Sequence, residues 1–179
     1  MDIQHTGWRR RSGPRPCAPL PLKYQPVVAI VLIYVQQVRD ADFVLVKNYS
    51  WTSDDPKAMH ALAIFSDRSL FCIRELRSHH VSMLKRMRDV CLARLHELYG
   101  LSPDRICARF HYLPTFYHLH LHFEVKDNCE YASNRYRGFD EVVSLLDVVQ
   151  DGYQRMTLEF SAKPGGKGVA ALLMQHKAQ

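Results

Sequence analysis

No apolar run in this chain of 179 residues is long enough to cross a membrane. A spanning helix needs about 20 apolar residues, and the longest run here, residues 27–35, falls well short. It is expected as a buried strand; a signal anchor is the weighed alternative, because Arg9, Arg10, Arg11 and Lys23 precede it. No membrane partner is expected. Cysteine is equally uninformative as a framework: Cys17, Cys72, Cys91, Cys107 and Cys129 are odd in number, well separated and form no Cys-x-x-Cys pair. They are expected as free thiols in a reducing compartment, cytoplasmic and also nuclear. No internal repeat is present. Acidic residues are the scarcer charge, 18 against 24 Lys and Arg, which leaves a net charge of +6. That bias favours an anionic partner such as a nucleotide or an RNA end, although many ordinary proteins share it.

What remains is one globular domain of 47% hydrophobic residues behind a short arm. Residues 1–26 carry five of the nine prolines and the arginine cluster, so they are expected as a disordered or irregular basic arm in which Trp8 is solvated. Residues 27–179 are expected to form the domain. Strands are expected at 27–36, 43–46, 58–65, 105–112 and 117–125 from β-branched or alternating apolar residues, the last two pairing as a hairpin. Residues 126–137 are polar and expected as a loop. The main helix is expected over 78–99, with Ser78 as N-cap, Gly100 just past its end, and Leu84, Met87, Cys91, Leu95 and Leu98 as its buried stripe. His79, His80 and His96 have no strand-like partners there and are expected in surface or capping roles. A second helix should run from Phe139 to near Gly152. A final strand should carry Met156, Leu158 and Phe160, followed by a flexible stretch at 163–168 and a helical turn at 169–176. The fold class is therefore α+β: an antiparallel sheet of about five strands with helices packed on one face.

The chemistry is concentrated in residues 111–123, HYLPTFYHLHLHF. His118, His120 and His122 recur at every second position, and Leu119, Leu121 and Phe123 fill the alternate places. In a strand, residues two apart share a face roughly 6.5 to 7 Å apart. Three imidazoles therefore line one face while the apolar residues enter a core on the other. Imidazole carries and releases a proton near neutral pH, and its free nitrogen can attack phosphorus. A row of three suits an anionic substrate that must be clamped, attacked and given a leaving-group proton. Phosphoryl or nucleotidyl transfer fits best, with His111 and the Pro114 turn placed to bring a fourth imidazole towards the row. Two other readings compete. A zinc site could draw ligands from one strand but usually takes a further ligand from elsewhere, and a solvated face can be His-rich by chance.

The pattern His-apolar-His-apolar-His resembles the signature of the histidine-triad hydrolases and transferases. RFHYLPTFYHLHLHF, at 109–123, narrows the resemblance to the C-terminal domain of the scavenger mRNA-decapping enzymes. FVLV with Trp51 shortly after it, ALAIFSDRSLFCIREL at 61–76 and YQRMTLEF at 153–160 agree in order. The resemblance runs from about Ile33 to the C-terminus and implies a histidine-triad-like sheet and a homodimer. The family's N-terminal domain, which contributes to dimerisation and supplies a cap-stacking tryptophan, has no counterpart in this sequence.

The resemblance also implies roles. His120 would attack a phosphate and form a transient phosphohistidine, His118 would orient or neutralise, and His122 would stabilise the bridging oxygen or help protonate the leaving group. His111 and Thr115 would donate to the phosphate chain, Tyr112, Phe116 and Tyr117 would complete the substrate site, and Phe116 stands where the family often has tyrosine. No metal or cofactor is required, so chelators should leave activity unchanged. The implied substrate is a cap dinucleotide or short capped RNA fragment, hydrolysed at its triphosphate bridge to release a nucleoside monophosphate. A dinucleoside-polyphosphate hydrolase of broader specificity, or a weakly active nucleotide-binding paralogue, is the alternative. The base-recognition segment departs from the family: in place of Pro-Asp-Leu-Lys-Trp stand Lys47, Asn48, Tyr49, Ser50 and Trp51, so an acid has become an amide and a lysine a hydroxyl. The family's preceding acid would align near Val35 or Gln36, which leaves a neutral base pocket around Asn48 and Ser50.

Overall fold

The computed structural model describes residues 36–53, 55–129 and 135–160. The expected arm, the body of the strand at 27–35, the stretch at 163–168 and the turn at 169–176 lie outside them. Within them, β1 (Gln36–Arg39), β2 (Phe43–Lys47), β3 (His60–Phe65), β4 (Ile106–His111), β5 (His120–Val125) and β6 (Tyr136–Gly138) form one sheet in the order β1-β2-β3-β5-β4-β6. Every neighbouring pair is antiparallel. Three helices accompany it: α1 (Val81–Tyr99), α2 (Phe139–Val148) and the single turn α3 (Gly152–Arg155).

Alternation decides which face of the sheet the helices cover. Along β3, Ala61, Ala63 and Phe65 are buried while His60, Leu62 and Ile64 are only half-buried. Small residues sit opposite large ones: the register pairs Ala61 with Phe123 and Ala63 with Leu121. Phe43, Leu45, Phe110, Leu121 and Phe123 join Leu84, Met87, Cys91 and Leu95 of α1 and Phe139, Val142 and Leu146 of α2 in one buried cluster. Truncating one of its fully buried members, as in Leu84→Ala, would cost roughly 2–5 kcal/mol.

Four local expectations are corrected. The stripe on α1 ends at Leu95, since Leu98 is 37% exposed. The helix begins at Val81 rather than 78: residues Ser78–His80 form a 3-10 turn without a side-chain cap from Ser78, and the Arg77 amide donates instead to His80 Nδ1 at 2.9 Å. Its other end is as expected, because Gly100 adopts a left-handed φ of 66° and donates to the His96 carbonyl at 2.8 Å. The second helix breaks after Val148, and Gly152 restarts it where an added Cβ would lie 3.0 Å from the Leu145 side chain.

The largest correction concerns the sheet edge. Residues 156–160 pair with no strand among the described residues, although Leu158 and Phe160 still pack on the core. Side chains hold this segment in place of a ladder: Arg74 donates to the carbonyls of Tyr153 and Met156 at 2.7 and 2.6 Å, and Arg137 donates to that of Glu159 at 2.5 Å. The edge beside β4 belongs instead to β6, from the stretch expected as a loop, with Arg109 opposite Gly138 and His111 opposite Tyr136. A strand of three residues offers too little alternation to be seen in sequence.

Candidate active site

The face of the sheet opposite the helices carries the imidazoles. His120 and His122 lie on β5, His111 on β4, and His118 in the bend just before β5. His111 stacks on His122 with ring centroids 3.8 Å apart and planes 14° apart, and lies 6.3 Å from His120. His120 and His122 are 5.0 Å apart. The fourth imidazole thus joins the row from the neighbouring strand.

Two backbone carbonyls orient the first half of the row. A carbonyl oxygen only accepts, so the 2.7 Å contact of His120 Nδ1 with the His118 carbonyl fixes the proton on Nδ1. Neutral His120 then keeps a lone pair on Nε2. His118 Nε2 likewise donates to the Phe65 carbonyl at 2.6 Å. Burial holds His120 below the usual histidine range, opposed by its bond to the His118 carbonyl. Burial and the surrounding imidazoles hold His122 well below that range. Burial, then His120 and the Arg135 and Arg109 guanidiniums, push His111 down to about 3. At neutral pH these rings are neutral, so the lone pair needed for attack is present in the resting state.

The second half is held by side chains that the triad pattern does not contain. His60 on β3 sits opposite Glu124, one strand across from the row. Its Nε2 lies 2.9 Å from His122 Nδ1 and 3.0 Å from Glu124 Oε1. The buried Arg109 donates to Glu124 Oε2, and its guanidinium lies 3.8 Å over the Tyr136 ring. Tyr136 in turn packs edge-on against His111 at 4.8 Å. His60, Arg109, Glu124 and Tyr136 were all missed in sequence. The only available signal was that Glu124 extends the every-second-residue pattern of 118, 120 and 122 by one step.

The remaining expected residues divide. Thr115 lies in the bend between β4 and β5, and its hydroxyl accepts from Arg135 at 3.1 Å, which brings a cation to that turn. Phe116 is half-buried in the same bend and Tyr117 is buried. Tyr112 is corrected: it is buried in the core, and Arg74 donates to its hydroxyl at 3.0 Å, because the residue after His111 turns to the helix side. Asn48 is buried and its Oδ1 accepts from both the amide and the hydroxyl of Ser50 at 2.9 Å. Its Nδ2 lies 3.1 Å from His60 Nε2. These two residues are therefore tied to the imidazole cluster through His60. Lys47 turns away, with Nζ 4.5 Å over the Trp51 ring, and Trp51 is a core residue edge-on to Tyr99.

Three alternating imidazoles, two on a central strand and the first in the bend that leads into it, on an antiparallel sheet backed by helices, define a histidine-triad domain. The family model described as "Scavenger mRNA decapping enzyme C-term binding" matches residues 32–136, and the chain belongs to that family. Relatives named m7GpppX diphosphatase agree. The protein of Ascaris suum is 33% identical over 134 residues, covering 74% of this chain and 44% of its own length. That of Caenorhabditis elegans is 33% identical over 141 residues, covering 76% and 44%. The human protein is 27% identical over 123 residues, covering 68% and 36%. This chain thus spans less than half the length of the curated relatives it matches. Among solved structures, the Schizosaccharomyces pombe aprataxin orthologue Hnt3 aligns with a TM-score of 0.45 and 17% identity, covering 93% of this chain and 96% of that one.

Proposed function

We propose that this domain hydrolyses the triphosphate bridge of cap dinucleotides or short capped RNA fragments, the m7GpppX type of substrate for which its relatives are named. The observation that carries the reading is the row His118, His120 and His122, in which burial holds His120 and His122 below the usual histidine range and His120 Nδ1 is tied to a carbonyl with its Nε2 left to act. His120 Nε2 attacks a bridge phosphorus, and the P–O bond to the leaving nucleotide breaks as the P–N bond forms. The leaving oxygen departs as a phosphate oxyanion, which the neighbouring neutral His122 stabilises as a hydrogen-bond donor without giving up its proton, and His118 orients the phosphate at the other side. Arg135 at Thr115 supplies positive charge to the phosphate chain. Water then attacks phosphorus, the P–N bond breaks and a nucleoside monophosphate leaves.

The deciding experiment incubates the purified chain with methylated cap dinucleotide, its unmethylated analogue and a diadenosine polyphosphate, and quantifies the monophosphates. Turnover of the cap dinucleotides above the diadenosine compound supports the reading. Equal turnover of all three would make the domain a general dinucleoside-polyphosphate hydrolase, and binding without turnover a nucleotide-binding paralogue. Sedimentation of the same sample tests the homodimer that the family implies.

A further inference from the structure

Beside the proposed phosphate site, one group of atoms converges without enough protons to satisfy it. His60 Nε2, His122 Nδ1 and Glu124 Oε1 form a triangle with sides of 2.9, 3.0 and 3.9 Å. Asn48 Nδ2 also faces His60 Nε2, at 3.1 Å, and the amide cannot turn without losing both hydrogen bonds from Ser50 to Asn48 Oδ1. One ring nitrogen cannot accept from Asn48 and donate to Glu124 at once. If Nε2 is bare, its lone pair faces a carboxylate oxygen; if protonated, it faces an amide NH2. A cation within the triangle removes the conflict with Glu124, because all three corners can offer it lone pairs.

The dimensions select the cation. A point about 2 Å from all three corners exists in the plane of the triangle, the length of zinc bonds to imidazole nitrogen and carboxylate oxygen, and side-chain shifts of roughly 0.3–0.6 Å bring the three corners to tetrahedral separations. Two histidines and one glutamate are a known zinc donor set that leaves a fourth position open. Neighbours restrain the ligands as zinc sites require: Arg109 donates to Glu124 Oε2, and Ser50 Oγ lies 3.4 Å from His60 Nδ1. His122 Nε2 is buried without a hydrogen-bond partner among the described residues and is available to carry the ring proton while Nδ1 ligates. A cleft of about 280 Å³ lined by His60, Arg109, Glu124 and Tyr136 gives access.

We propose that His60 Nε2, His122 Nδ1 and Glu124 Oε1 form a binding site for one zinc ion. A zinc ion there holds His122 fast and places a double positive charge beside the row. Binding itself is independent of the proposed function. Its consequence rests on that reading: zinc and turnover compete, because a His122 ring held through Nδ1 keeps its proton on the buried Nε2 and can no longer turn to stabilise the leaving oxygen.

The test uses the full chain freed of metal with a chelator that is then removed. Titration with Co²⁺ should give one equivalent with the intense visible absorption of a four-coordinate centre, displaced by Zn²⁺. His60→Asn and Glu124→Gln should each weaken binding at least tenfold. Circular dichroism checks both folds, and His60→Asn keeps the test open should Glu124→Gln, which removes the charge facing Arg109, fail to fold. No cobalt spectrum, or equal affinity in a folded variant, overturns the site. In the activity arm, Zn²⁺ should inhibit the parent and spare any residual turnover of His60→Asn. Binding without inhibition, or activation by Zn²⁺, overturns the competition. Absence of turnover under every condition defeats the proposed function while the cobalt titration still decides the site.

Discussion

The two halves of the histidine row are fixed by different means. His118 and His120 are oriented by main-chain carbonyls, those of Phe65 and of His118 itself. His122 is set by side chains: His60 from another strand, Glu124 two residues on, and Arg109 behind them. A carbonyl is supplied by any residue, so the first half depends on the fold alone. The second half depends on the identity of three further side chains. Chemistry that must not vary belongs to the first arrangement, and tuning belongs to the second.

Substitutions can separate the halves. The largest effect is expected from His120→Asn, which fills similar space but has no nucleophilic nitrogen. Turnover should fall on the order of a thousandfold or more with nucleotide binding and melting temperature nearly intact. Residual activity within tenfold of the parent, measured by monophosphate release, would take the nucleophile away from the carbonyl-fixed half. Next comes Glu124→Ala, which leaves the Arg109 guanidinium buried without its carboxylate. The expected cost is about 3 kcal/mol in urea unfolding, together with a loss of turnover. A change below about 1 kcal/mol would mean that the side-chain-fixed half is held by something else.

His60→Asn should lower kcat/KM by about tenfold through a mobile His122 while leaving stability within about 1 kcal/mol, since His60 is partly exposed. An effect as large as that of His120→Asn would erase the distinction between the halves. The smallest effect concerns base recognition at Asn48, the neutral residue tied to His60. Charged hydrogen bonds contribute roughly 1.5–3 kcal/mol against about 1 for neutral ones, so preference for methylated cap should be about two- to thirtyfold weaker than in relatives that keep the acid. Asn48→Asp with Ser50→Lys should restore it, read as the ratio of kcat/KM on methylated and unmethylated cap dinucleotide. An unaltered chain that already discriminates strongly would show that this segment does not read the base.

The same division explains what could be read in advance. The alternation of His118, His120 and His122 with Leu119, Leu121 and Phe123 is local, and the helix stripe from Leu84 to Leu95 is local too; each fixes a face without knowledge of distant residues. His60, Arg109 and Tyr136 enter the site only through strand register, which pairs residues far apart in the chain. Nothing near His60 marks it, since its β3 neighbours are apolar. Tyr112 is the opposite case: the resemblance implied a place in the substrate site, whereas the side chain lies in the buried core and accepts a hydrogen bond from Arg74. The segment at 156–160 has strand periodicity but lies outside the sheet: β6 takes the edge beside β4, and Arg74 and Arg137 hold the segment by its carbonyls instead.

The 62 residues separating His60 from His122 also set an order of assembly. Contacts this distant are rewarded only after the entropy of closing a long loop has been met. During synthesis the β4–β5 hairpin, carrying four imidazoles, can form from a short stretch of chain as soon as it emerges. His60 left the ribosome well before and must be recaptured when the free edge of β5, already paired with β4, docks on β3. The reactive strand thus carries the junction that completes the sheet, and before it docks β3 and β5 each present an unpaired edge with no working site.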